Sequence, residues 1–368
     1  MAIDLSKIQL CVANRLDPAG KRLLAAVIGD TPSHYSKSPP LWNAVFDRLA
    51  IDAVYLPFDV EAGRLKELLS ALRNCADFLG CNVTVPHKRQ VIEYLDALDP
   101  QASRIQAVNT IVRSADGRLV GANTDGGGFI ESLRSVCPGE KNPFVESFKG
   151  LRVLILGAGG SARAVAFALA GVIESGEIVI CNRTAAAGAA LAEELRVATS
   201  IVRAVGEEDL AANAGAMNLI VNCSVKGQGG VRRDEDGGAM LLQFYSALAP
   251  ARPKSFPAAQ ASHANFTALF EAACRADIDA NNDASMAIAT AVPKECGFYD
   301  LVYHPEETVF LRHGRLTGHR TMNGKAMIVH QAVIAFCQRI CRTELQARGM
   351  DTPEAYQRIL EIMYQAWE

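Results

Sequence analysis

Short apolar runs alternate along this chain with segments whose apolar residues recur every three or four positions. Residues 24–30, 53–58 and 78–84 read as strands, the first closed by Gly29 and Asp30. Residues 39–49 and 64–73 carry helical spacing, and Pro86 can open a further helix, since proline is tolerated at a first helical position. This predicts a layered α/β domain. From Leu151 the alternation repeats, with an apolar strand, a glycine turn and an alanine-rich helix over 161–170. A strand at 177–182, a helix at 185–195 and strands at 200–204 and 218–222 follow. That order predicts a parallel, doubly wound sheet. Residues 229–297 hold Pro250, Pro253 and Pro257 and a single helix pattern at 266–276, so they read as an insertion. Strong helix patterns cover 327–345 and 353–367, whereas the first 24 residues have weak periodicity and read as an extension.

The chain's 368 residues suggest about two domains, and 49% apolar with 21% charged residues allows each a substantial core. A net charge of −3 gives no reason to expect nucleic acid or an anionic membrane as partner. The densest charged run, Arg232-Arg233-Asp234-Glu235-Asp236, has mixed sign and reads as a solvated loop. No apolar stretch is long enough to span a bilayer, and the first ten residues lack the apolar middle of a secretory signal. Ten cysteines are dispersed without paired zinc spacing. They read as reduced core thiols of a cytoplasmic protein, Cys181 and Cys223 among them.

The turn Gly157-Ala158-Gly159-Gly160, before Ser161, lies between an apolar strand and a helix. Small residues there let backbone amides approach a diphosphate at the positive end of the helix. After the next strand come Asn182, Arg183 and Thr184, with no acid to bind both ribose hydroxyls of NAD. Arg183 offers a guanidinium to a 2′-phosphate, which favours NADP while leaving NAD possible. Reducing a carbonyl needs hydride at carbon and a proton at oxygen. Lys88 can donate that proton and Asp125 can hold the ammonium in place. Either residue alone would read as surface charge. Their surroundings, with Asn82, Thr84, Asn109 and Asn123 in turn-rich segments, set them apart from charged helix faces. Ser36 and Ser38 belong to a loop suited to a polyhydroxylated or carboxylated ligand, and Ser38 before Pro39 also reads as a helix cap. His34 and His87 read as loop surface. No His/Asp/Glu spacing suggests a metal.

These motifs resemble the shikimate and quinate dehydrogenase family over about residues 25–230 and 300–336. Ser36-Lys37-Ser38-Pro39 resembles the pair of serines that binds the substrate carboxylate. Asn82 to Lys88 resembles the catalytic lysine segment, and Asn109 and Asn123-Thr124-Asp125-Gly126 the substrate-binding and catalytic aspartate segments. Tyr303 and Gln331 stand at positions of closing substrate contacts, and Ser224 belongs to a cofactor segment in which Gln228 replaces a usual methionine. Histidine is also usual in the family where Tyr35 and Trp42 stand, and a basic residue near Ala187.

The resemblance implies reversible NADP-dependent reduction of 3-dehydroshikimate to shikimate. Lys88 would be the acid, Asp125 its orienter, and Ser36, Ser38, Thr84, Asn109 and Gln331 would position the substrate. It implies a substrate-binding α/β domain over 25–126 and 327–368, completed by a returning C-terminal helix. A Rossmann-type NADP domain would cover 127–326. Quinate is the second substrate reading, and a nucleotide-binding regulator without turnover the reading from another class. A monomer or homodimer is expected.

Overall fold

The computed structural model describes residues 3–197, 199, 201–234 and 236–367. Ser200, at the start of one predicted strand, and Glu235, in the mixed-charge run, lie outside them. The chain forms two compact units, one of residues up to Glu131 together with those from Met327 onward, the other Ser132–Ala326.

The first unit is built on a sheet of β1 (Leu23–Gly29), β2 (Ala53–Asp59), β3 (Phe78–Val83), β4 (Ala97–Leu98), β5 (Thr110–Arg113) and β6 (Leu119–Ala122). Its order is β2-β1-β3-β5-β6-β4. Strand β1 runs parallel to both neighbours, whereas β3, β5 and β6 form an antiparallel meander. The period of two along β1 divides its side chains between two cores. Leu24, Ala26 and Ile28 enter one cluster with Leu65, Leu68 and Leu72 of the helix Leu65–Arg73. Ala25 and Val27 enter another with Trp42 and Phe46, Phe336, and Ile359 and Met363 of the last helix, Pro353–Ala366. Trp367 packs against this second cluster. The N-terminal segment contributes Ile3, Leu5, Ile8 and Cys11 to the first.

The second unit holds β7 (Arg152–Leu156), β8 (Glu177–Cys181), β9 (Val202–Val205) and β10 (Leu219–Asn222). A hairpin of β11 (Val231–Arg233) and β12 (Ala239–Leu241) follows, then β13 (Gly297–Asp300) and β14 (Thr321–Met322). The large sheet has the order β14-β13-β10-β7-β8-β9 with every pair parallel, the doubly wound arrangement expected from the sequence.

Three local expectations are corrected. The helix expected at 266–276 extends over Phe266–Ala291. Its second half mixes polar residues into the apolar pattern because Asn281 is buried, donating to the Ser246, Ala249 and Pro250 carbonyls. The pattern at 327–345 is not one helix: Lys325–Ala335 is followed by a π turn, Phe336–Ile340, and then Arg342–Ala347. Pro86 opens no helix. Residues 85–89 stay in turns, tied to Val108 through its amide on the Lys88 carbonyl at 2.7 Å, before a 3-10 segment at Gln90–Tyr94.

None of the ten cysteines forms a disulfide. Burial pushes the Cys181, Cys296 and Cys337 thiols up to about 12, so they are unreactive as nucleophiles. Among the described residues no helix is long and apolar enough to cross a membrane.

Candidate active site

In the first unit the loop after β3 carries Lys88, and the helix Asp125–Arg134 begins at Asp125. Lys88 Nζ donates to Asp125 Oδ2 at 2.6 Å, with the lysine side chain 15% and the carboxylate 6% exposed. The ammonium is therefore largely desolvated yet still reachable. Asn109 Nδ2 donates to the other carboxylate oxygen at 2.7 Å, so the acid is held on both sides. Thr124 N donates to Asn109 Oδ1 at 2.7 Å, which fixes that amide's orientation. Gln331 joins from the helix Lys325–Ala335: Asn109 Nδ2 and Thr124 Oγ1 reach its Oε1 at 3.3 and 3.2 Å. Gly128 makes this possible, because a Cβ there would stand 2.6 Å from the Gln331 backbone nitrogen.

The serine loop leads into the same unit's polar network. Ser38 is not a helix cap. It is the first residue of the helix Ser38–Arg48, whose cap position is Lys37 without a side-chain bond. Deeper in the unit, Tyr55 OH donates to Asn82 Oδ1 at 2.7 Å. Burial drives the Tyr55 phenol well above its ordinary range, so it acts as a neutral donor. Asn82 Nδ2 reaches Thr110 Oγ1 at 3.2 Å, joining Tyr55 to the Asn109 side of the site. Ser36 Oγ accepts from Ser38 N at 3.2 Å, and Thr84 is half-buried beside Gly29. His87, expected on the surface, is buried with a ring nitrogen 2.8 Å from the Val60 carbonyl, so it braces the lysine loop. His34 is exposed.

In the second unit the turn after β7 meets the demands of a dinucleotide. Gly157 has φ +119°, and a Cβ there would press within 3.2 Å of the Cys223 backbone, while Gly159 opens onto free space. The helix Gly160–Ala170 has Gly159 as its cap residue and no side-chain cap bond, which leaves the amides at Gly160 and Ser161 available beside Ala158. After β8, Asn182 Nδ2 donates to the Thr184 carbonyl at 2.9 Å. Arg183 is exposed and among the described residues pairs with no acid. A diphosphate and a 2′-phosphate both fit these residues. Tyr303 and Ser224 also belong to this unit. Among the described residues no group of three or more His, Cys, Asp or Glu could hold a metal.

A family model described as shikimate dehydrogenase substrate binding domain matches residues 27–111. Over 316 residues the chain is 36% identical to a shikimate dehydrogenase (NADP(+)) of Moorella thermoacetica, covering 85% of this chain and 86% of that one. The chain belongs to the shikimate dehydrogenase family. A shikimate 5-dehydrogenase structure from Thermus thermophilus, in complex with NADP(H) and shikimate, matches with TM-score 0.61 and 29% identity over 94% of this chain and 99% of that chain. One from Listeria monocytogenes, in complex with shikimate and NAD, matches with TM-score 0.66 and 25% identity over 96% and 99%.

Two features of this shikimate dehydrogenase family member lie outside the sequence-derived set. Tyr55 sits in an apolar strand run and reads as core, and only its hydroxyl enters the site. Asp300 is a lone acid closing β13, fully buried, and burial pushes it up to about 7. The alternation of apolar strand and acid at 297–300 was the only available signal.

Proposed function

We propose that the protein catalyses the NADP-dependent interconversion of 3-dehydroshikimate and shikimate. The observation that carries this reading is the desolvated Lys88–Asp125 pair, held by Asn109 and Gln331, in a chain 36% identical to a shikimate dehydrogenase. When bound, NADPH supplies the hydride that the carbonyl carbon accepts. Lys88 Nζ gives a proton to the carbonyl oxygen and its charge stabilises the alkoxide as it forms. Asp125 keeps the ammonium aimed, and its unshared lone pairs accept from a ring hydroxyl. In the oxidative direction the neutral amine takes the proton back. Ser36, Ser38 and Thr84 anchor the acid.

Gly157, Ala158, Gly159, Gly160 and Ser161 hold the diphosphate, and Asn182, Arg183 and Thr184 hold the adenosine 2′-phosphate. Tyr303 contributes to the substrate side and Ser224 to the nicotinamide side. The reaction is a cytoplasmic one in this reading, and the partner is a small acid.

The test is a four-way assay of purified protein with shikimate or quinate, each with NADP+ or NAD+. Shikimate with NADP+ should give the highest kcat/KM. Failure to reduce either cofactor with either acid refutes the reading. Preference for quinate moves the substrate assignment to the related acid.

A further inference from the structure

In a doubly wound sheet a dinucleotide crosses where the strand order reverses, here beside the loops after β7 and β10. The loop after β10 lies on the glycine turn: Cys223 N donates to the Leu156 carbonyl at 2.9 Å, and the Cys223 backbone is what a Cβ on Gly157 would meet. A carboxylate remote from the turn holds that loop. Asp300 accepts at Oδ1 from Asn222 Nδ2 (2.8 Å) and Val302 N (2.9 Å), and at Oδ2 from the Thr308 hydroxyl (2.6 Å). Asn222 passes the constraint along the loop. Its Oδ1 accepts from the Ser224 amide and hydroxyl at 2.9 and 2.7 Å, and its Nδ2 also reaches the Lys226 carbonyl at 3.0 Å. Thr308 caps the helix Val309–Leu316 by accepting from Leu311 N.

We propose that Asp300 is a positioning residue that locks the loop Asn222–Gln228 in the conformation that seats the nicotinamide end of NADP. The proposal rests on the NADP-dependent reading above. An acid at this place is costly to bury. Among the described residues its partners are all neutral donors, and burial makes its charge unfavourable. A neutral amide of the same size removes the buried charge but turns one acceptor oxygen into a donor, whereas the carboxylate accepts three hydrogen bonds at once and fixes three elements together.

The decisive variant is Asp300→Asn, measured by steady-state kinetics, nucleotide binding and melting without cofactor. KM for NADP+ should rise and kcat should fall, together by about a hundredfold in kcat/KM, as expected for misplacement of a reacting group. Affinity for adenosine 2′,5′-bisphosphate, which contains only the far end of the cofactor, should stay within about twofold, and the melting temperature should hold or rise. Should this variant not fold, Thr308→Val is expected to raise KM for NADP+ by about threefold and Thr308→Ser to restore it. Unchanged kinetics in a folded Asp300→Asn protein overturn the positioning role. Loss of adenosine 2′,5′-bisphosphate binding in step with NADP+ also overturns it, because the whole unit would then be disturbed. A wild-type protein that binds neither nucleotide instead refutes the NADP-dependent reading on which the proposal stands.

Discussion

At the scale of single residues, the Lys88–Asp125 contact makes the sharpest demands. Lys88→Ala should lower kcat by about a thousandfold while moving the shikimate KM only a few-fold, because a proton donor acts in the transition state. An equal loss in KM and none in kcat, read from initial rates, would reduce Lys88 to a binding residue. Two buried titrating groups give stability opposite pH dependences. His330 is pulled down to about 4, chiefly by burial, so it is neutral in the folded chain. Its unfolded form takes up a proton near the ordinary 6.5, so its contribution is complete above that pH and is lost as pH falls toward about 4. The full span is about 3 kcal/mol. Denaturant titrations of His330→Gln between those limits should show a flatter acid limb. Asp300, raised from 3.8 to about 7, works the other way: its contribution is present at low pH and lost as pH rises through about 7. Asp300→Asn should remove that loss.

Among elements, close helix approach and turn geometry decide. Gly128→Ala would push a methyl to 2.6 Å from the Gln331 backbone and force the helices Asp125–Arg134 and Lys325–Ala335 apart. Loss of about 2 kcal/mol in urea unfolding, with a raised shikimate KM, is expected from such overpacking. Strands β1, β7 and β8 were legible because burial on both faces leaves uninterrupted apolar runs. Strands β5 and β6 were not, being four residues each, the first ending on Arg113 and the second holding Gly121. The part of the helix Phe266–Ala291 beyond residue 276 escaped because its buried Asn281 and Ser285 are satisfied by distant partners that no local pattern records. The same limit applies to the site. Lys88, Asp125 and Asn109 stood out by lying in polar turns, while Tyr55 and Asp300 were masked by apolar neighbours. The Ser38 cap was misplaced because the helix takes in Ser38 as its first residue, which moves the cap position to Lys37.

For the whole molecule, one unit is continuous in sequence and the other is closed by residues from both ends of the chain. Ligands should therefore leave separate footprints. At a hundredfold excess over Kd, NADP+ adds about 2.7 kcal/mol to whatever binds it. Amide exchange should slow over 157–161 and 182–184 with NADP+, and over 82–88, 109 and 328–331 with shikimate. Uniform slowing with either ligand alone would contradict this division. Trp42 and Trp367, the chain's two tryptophans, share one apolar cluster of the discontinuous unit. Indole emission consequently watches only half of this protein. Melting followed by that light is blind to events confined to Ser132–Ala326, and any lag between it and circular dichroism gives a direct readout of how independently the halves come undone.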